Sequence, residues 1–182
     1  KALSEIQRLP GRHLFFLDDN IFSDVPFCSS LFTGMLGMGR IWQAAATVQS
    51  VLNERLLDLA VESGLRSLFI GFESMNRHAL RKHQKYHNRI ADYNRAIKPL
   101  RGVMINASFV FGLDGDNPDV FDATTEWAIS QGIETATFHI LTPYPGTDLF
   151  RRYMDSGRIL HCDWDLYDTR HAVFSHLDMS SE

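Results

Sequence analysis

The sequence predicts an α/β fold, a parallel sheet built from about five strand–helix units. Three observations carry this reading. Short apolar runs alternate along the chain with segments of helical period. The runs are close to continuous in apolar residues rather than strictly alternating, which is the pattern of strands covered on both faces. Glycine, asparagine and proline punctuate the boundaries between them. A closed barrel needs eight such units in ~250 residues. The 182 residues here hold too few, so an open sheet or a partial barrel remains.

The elements follow in order. LSEIQRL opens the chain as a helix, and His13 to Leu17 is the first apolar run, ending in Asp18, Asp19 and Asn20. Val25 to Met38 is apolar and helix-like, although Gly34, Gly37 and Gly39 weaken it. Arg40 to Val48 is a second strand. Asn53 is placed to cap a helix whose apolar face is Leu56, Leu57, Leu59, Ala60 and Val61, and Gly64 closes it. Ser67 to Phe72 is the third strand, followed by Glu73 and Ser74. A short basic helix from Asn76 and a second from about Arg89 to Leu100 come next. Met104 to Gly112 is the fourth strand. Asn117-Pro118 starts a helix that Gly132 ends, and Thr135 to Leu141 is the fifth strand. TPYPGT leads to a helix near Asp148 to Ser156. The remainder is rich in His, Asp and Trp, with weak periodicity. The domain reading is a barrel unit over 1–157 and the start of a C-terminal extension over 158–182.

Composition narrows the function classes. The chain is 45% hydrophobic and 22% charged, as a folded domain should be, which excludes a disordered tail or a disulfide scaffold. Eighteen basic and 22 acidic residues give a net charge of -4, so nucleic acid is not an expected partner. The apolar runs are too short for a membrane span. Cys28 and Cys162 form no metal-ligand spacing, so no metal ligands are assigned, and the expected setting is cytoplasmic.

Ligands of parallel α/β folds bind at the carboxyl ends of the strands. Polar groups collect there: Asp18 and Asp19 after the first strand, Gln43 in the second, Glu73 after the third, Ser108 in the fourth and His139 in the fifth. Several have an ordinary structural reading as well. Asp18-Asp19-Asn20 could cap the next segment, Asp114-Gly115-Asp116 reads more as a turn, and His139 could be a hydrogen-bonded core histidine. Glu73 is harder to dismiss, because a carboxylate after a buried strand needs a partner or a ligand. No dinucleotide fingerprint and no phosphate-binding loop is present.

LDDN, RIWQ, FIGFES, SFVFGLDGD and TPYPGT, in this order and spacing, resemble the radical S-adenosylmethionine enzymes, most nearly the branch that carries a cobalamin-binding domain. The resemblance covers roughly residues 1 to 160 and rests on the ordered set, since each motif alone is weak. It implies a partial TIM-type (β/α)6 barrel, represented here by about five βα units with the first strand missing. It also implies S-adenosylmethionine as cofactor, a 4Fe-4S cluster held by a CxxxCxxC loop, and cobalamin in the longer protein.

The sequence has no CxxxCxxC. Truncation upstream is the expectation, with a degenerate barrel serving as a binding or scaffold module as the alternative. A hydrolase or aldolase fragment using Glu73 and His139 as acid and base is a third reading, but it lacks an evident nucleophile. By the resemblance, Glu73 lies near the polar end of S-adenosylmethionine and Ser108 near its ribose or carboxylate. Val110, Phe111 and Gly112 flank the adenine, with Leu141 and Pro143 completing its pocket. Asp18, Asp19, Gln43 and His139 face the barrel mouth. No catalytic residue is assigned, and the chain alone is expected to be inactive. The substrate is a small molecule, and an open sheet edge predicts self-association.

Overall fold

A computed structural model describes residues 1–83, 88–100 and 102–180. Helix α1 (Ala2–Arg8) leads to strand β1 (His13–Phe15), followed by α2 (Val25–Met35), β2 (Ile41–Thr47), α3 (Glu54–Glu62) and β3 (Leu65–Glu73). Then come α4 (Arg77–Lys82), α5 (Ile90–Ile97), β4 (Met104–Phe111), α6 (Asp119–Ser130), β5 (Thr135–Ile140) and α7 (Asp148–Asp155). The five strands form one parallel sheet in the order β1-β2-β3-β4-β5. Each strand is thus laid beside its predecessor by a helical crossover, which is what the strand–helix alternation predicts. The result is a half-barrel.

One face of the sheet carries the core. Trp42, Ala44 and Ala46 of β2, Leu68, Ile70 and Phe72 of β3, and Ile105, Ala107 and Phe109 of β4 pack against Phe32, Leu57, Tyr93 and Ala96 of the helices. Aromatic rings bind this layer together. Phe72 stacks on Phe109 at 5.8 Å and meets Tyr93 edge-on at 5.0 Å, with Trp127 of α6 against both. The opposite face bears Gln43, Ala45 and Thr47, then Ser67, Phe69 and Gly71, then Asn106, Ser108 and Val110, then Thr137 and His139. Few of these are fully buried, so this face is the open side of the half-barrel.

Several boundaries differ from the sequence reading, among them those near the open face and the turns. β1 has three residues rather than five: Phe16 N–H still donates to Gln43 O at 3.0 Å, after which the chain leaves β2 and touches it again where Ile21 N–H reaches Ala45 O at 3.1 Å. β3 runs on to include Glu73, past a register shift between Gly71 and Glu73. α2 stops at Met35, ahead of Gly37 and Gly39.

The C-terminal segment, periodic in nothing, packs through a second small cluster. Tyr153, Tyr167, Val173 and Phe174 gather with Leu141, Leu149 and Ile159, and Ile159 and Phe174 form an antiparallel bridge. The segment also covers part of the β5 edge, where Ile140 N–H donates to Thr169 O at 2.7 Å. No helix among the described residues is long and apolar enough to cross a membrane.

Candidate functional site

The open face near the strand ends brings four of the sequence-predicted residues together: Glu73, Ser108, Val110 and His139. Gly71 of β3 pairs with Ser108 of β4, which pairs with Thr137 of β5, and one step further Val110 pairs with His139. Glu73 joins this row by an unusual route. Its φ of 71° places a non-glycine residue in the left-handed region. The turn folds its carboxylate back over the open face, so that a methyl group added to Gly71 would lie 3.4 Å from Glu73 Oε1.

Groups on neighbouring elements hold that turn. Asn88 Nδ2 donates to Gly71 O at 3.2 Å and to Phe72 O at 2.9 Å. The Tyr93 hydroxyl shares its single proton between Phe72 O and Ser74 O, the latter at 3.1 Å. Burial pushes the Tyr93 phenol far above its ordinary range, so it stays a donor. Asn88 and Tyr93 were not legible as site residues. They lie 15 or more positions downstream, and no local pattern ties them to Glu73.

The loop after β4 is held as firmly. Asp116 is wholly buried; its carboxylate accepts from Leu113 N–H at 3.0 Å and from Asn76 Nδ2 at 3.1 Å. Burial raises its carboxyl, and these hydrogen bonds oppose the shift without cancelling it. Asp114 instead meets Arg158 in a two-point pair at 3.1 and 2.7 Å, with Lys82 at 3.9 Å. The Asp114 N–H donates to His83 Nε2 at 2.9 Å. Asp114-Gly115-Asp116 is therefore a turn, with Asp116 N–H closing on Leu113 O at 2.8 Å.

The residues expected from the resemblance to flank adenine divide. Gly112 and Leu141 are neighbours, and Leu141 N–H donates to Phe111 O at 2.8 Å. Pro143 follows, buried, in the irregular segment after β5. Val110 faces the open side with His139, whereas the Phe111 ring points the other way, 4.7 Å from Phe121 of α6 and 5.5 Å from Phe138. Phe111 and Gly112 thereby also line a cavity of about 460 Å³ between α6 and the C-terminal segment. A cleft of about 680 Å³ between α2 and α3 is larger, but it lies on the helical side of the sheet.

Gln43, Asp18 and Asp19 stand apart from the group at the strand ends. Gln43 is exposed on the open face, beside Phe15 and Ser67, four residues before the end of β2. That is roughly 13 Å below the mouth at ~3.3 Å per residue. Asp18 and Asp19 are exposed in the loop after β1. They do not cap α2; Asp24 does, accepting from Phe27 N–H at 3.0 Å. His139 is hydrogen-bonded through Nδ1 to Thr169 Oγ1 at 3.0 Å.

This geometry defines a class: a parallel βα half-barrel whose open face carries polar groups at the strand ends. No family model matches the chain. It is 34% identical over 169 residues to the bacteriochlorophyllide d C-12(1)-methyltransferase of Chlorobaculum tepidum, covering 92% of this chain and 37% of that protein. It is 31% identical over 116 residues to the C-8(2)-methyltransferase of the same organism, covering 62% of this chain and 26% of that one. Coproporphyrinogen III oxidase from Escherichia coli, a radical SAM enzyme, shares the fold with a TM-score of 0.60 at 13% identity, over 79% of this chain and 36% of that one. The chain belongs to the radical S-adenosylmethionine superfamily. It spans about a third of the length of the curated relatives it matches.

Membership implies S-adenosylmethionine and a 4Fe-4S cluster. The donor set fits the two groups differently. Three thiolates cannot come from two cysteines. Cys28 is buried with its thiol raised by burial, Cys162 is exposed, and no group of three metal-ligating side chains occurs among the described residues. The residues present do not fit a cluster. They do suit a zwitterionic, cationic ligand, for which Glu73 offers a carboxylate, Ser108 a hydroxyl and the Gly112–Leu141 contact a small apolar floor.

Proposed function

We propose that this chain is the S-adenosylmethionine-binding part of the barrel of a methyltransferase-type radical enzyme, with the cluster ligands in sequence outside these 182 residues. The observation that carries it is the pairing of Gly71 with Ser108 on the open face, with the Glu73 carboxylate folded back to Gly71. Glu73 takes the ammonium end of the ligand, Ser108 its ribose or carboxylate, and Val110 to Gly112 with Leu141 to Pro143 flank the adenine. Phe111 contributes through its backbone, since its ring faces α6. Bound there, S-adenosylmethionine supplies the methyl group or, by reductive cleavage, the radical chemistry of the family. His139, tied to Thr169, closes the β5 side of the mouth, and Asp18 and Asp19 in the loop after β1 face substrate, while Gln43 lies too far below the mouth to do so. Cobalamin, held elsewhere in the longer protein, and a cytoplasmic setting belong to the same reading. Residues 158–182 begin a C-terminal extension; its last two lie outside the described residues.

The test is anaerobic iron–sulfur reconstitution of the whole protein and of this chain, followed by a 5′-deoxyadenosine assay with dithionite. The whole protein is expected to carry about one cluster and to cleave S-adenosylmethionine, and this chain alone to do neither. If the whole protein takes up no iron, the scaffold reading replaces this one.

The same reading includes self-association at the β1 edge. Phe15 and Leu17 are 62% and 82% exposed there, beside a strand with one hydrogen-bonded neighbour. Light scattering of this chain at high concentration is expected to show dimers or larger species, and Leu17→Lys to reduce them. A concentration-independent monomer would remove this part of the proposal.

A further inference from the structure

Glu73 is one of only two non-glycine residues with positive φ among the described residues. A left-handed backbone costs a non-glycine residue about 1 kcal/mol or more, so the surroundings must maintain it. The other is Thr169, in the segment that lies on β5.

What maintains the turn at Glu73 is specific. Asn88 and Tyr93 direct three of their hydrogen bonds at the carbonyls of the two residues before Glu73, and a fourth at the carbonyl of the residue after it. Both side chains are buried, Tyr93 completely. The Tyr93 ring is locked between Phe72 and Trp127. The carbonyls of residues 71, 72 and 74 are thus fixed on both sides of the turn, by groups from a different part of the chain. Strand pairing does not require this, since the β3–β4 ladder is already out of register there.

We infer that Asn88 and Tyr93 are positioning residues that hold Glu73 in its left-handed turn, aiming its carboxylate across the open face toward a cationic ligand. The inference rests on the cofactor reading above and adds the device that orients its acid. The ligand's ammonium is met by a carboxylate whose direction is set before binding, so little ordering remains to be done.

The test uses Tyr93→Phe, which keeps the ring and its packing and removes the hydroxyl, together with Asn88→Ala and Glu73→Gln in the whole protein. Equilibrium S-adenosylmethionine binding is measured for each, alongside a structure of the Asn88→Ala/Tyr93→Phe variant. Glu73→Gln is expected to weaken binding about tenfold, and Tyr93→Phe by a similar factor. The double variant should bind no worse than Glu73→Gln, because both changes remove one interaction. In the clamp-free structure Glu73 should leave the left-handed region. Losses that multiply, or a Tyr93→Phe protein that binds like wild type, would overturn the inference. If the wild-type protein binds no S-adenosylmethionine, the cofactor reading fails. The clamp-free structure then still decides, because a Glu73 that keeps its positive φ without Asn88 and Tyr93 is not held by them.

Discussion

Gly64→Ala is expected to abolish folding or to cost about 4 kcal/mol or more, placing it in the rare severe class. The cause is local and measurable. Gly64 joins α3 to β3 with φ at 113°, outside the range that side chains adopt readily. A methyl group there would lie 2.0 Å from Arg40 O and 3.0 Å from Arg40 C. Both are backbone atoms at the entry to β2, so no rotamer change relieves the clash. Neither strand can retreat cheaply, because Trp42 N–H donates to Gly64 O at 2.9 Å and the Trp42 ring is buried against Phe32. Gly102→Ala is the control. It has φ at 81° but open space around its Cβ position, so only the conformational cost of about 1 kcal/mol is expected. Urea unfolding of the two variants separates the terms, and equal losses would mean that the close approach to β2 is not what Gly64 provides.

The parallel sheet was legible because its evidence is local. HLFFL, SLFIGF and TATFHIL are each an apolar run bounded by turn residues, and a helix of recognisable period follows most of them. The site was legible only in part. Glu73 and Ser108 sit at strand ends that could be read, and parallel pairing sets Ser108 beside Gly71, over which the Glu73 carboxylate lies. The conformation of Glu73 could not be read, since it depends on Asn88 and Tyr93 across intervening chain. Phe111 shows a different limit. Sequence places it in the adenine-flanking stretch, while strand alternation turns its ring to the helical face. The DGD stretch shows a third. Asp114 and Asp116 look alike in sequence, yet one is paired with a distant arginine and the other is buried on backbone and amide donors.

That distant arginine carries the second large effect. Arg158→Leu is expected to cost about 3 kcal/mol, because it leaves Asp114 charged and largely buried without its main partner. Both side chains of the pair are only 13% exposed, so water screens little of the interaction. The guanidinium does more than neutralise charge. Its Nε donates to Ser175 O at 2.9 Å, and it lies 4.0 Å over the Tyr153 ring, which ties the C-terminal segment to the loop after β4. Arg158→Lys should recover only part of the loss, since an ammonium cannot make the two-point contact. The pH dependence identifies the pair. Burial alone would raise the Asp114 carboxyl, but the Arg158 hydrogen bond and charge, with Lys82 and His83, bring it below its ordinary value of 3.8. A lowered folded-state value contributes stability above the unfolded value, and that contribution is lost as the pH falls through the folded one. Wild type should therefore lose stability in that acid range. In Arg158→Leu burial dominates and the sign reverses, so Asp114 favours folding more as it becomes protonated. The stability gap between the two proteins should be widest near neutral pH and close below pH ~4. Denaturant melts across that range test it, and a gap that stays constant with pH would assign the role of Arg158 to packing on Tyr153 rather than to charge.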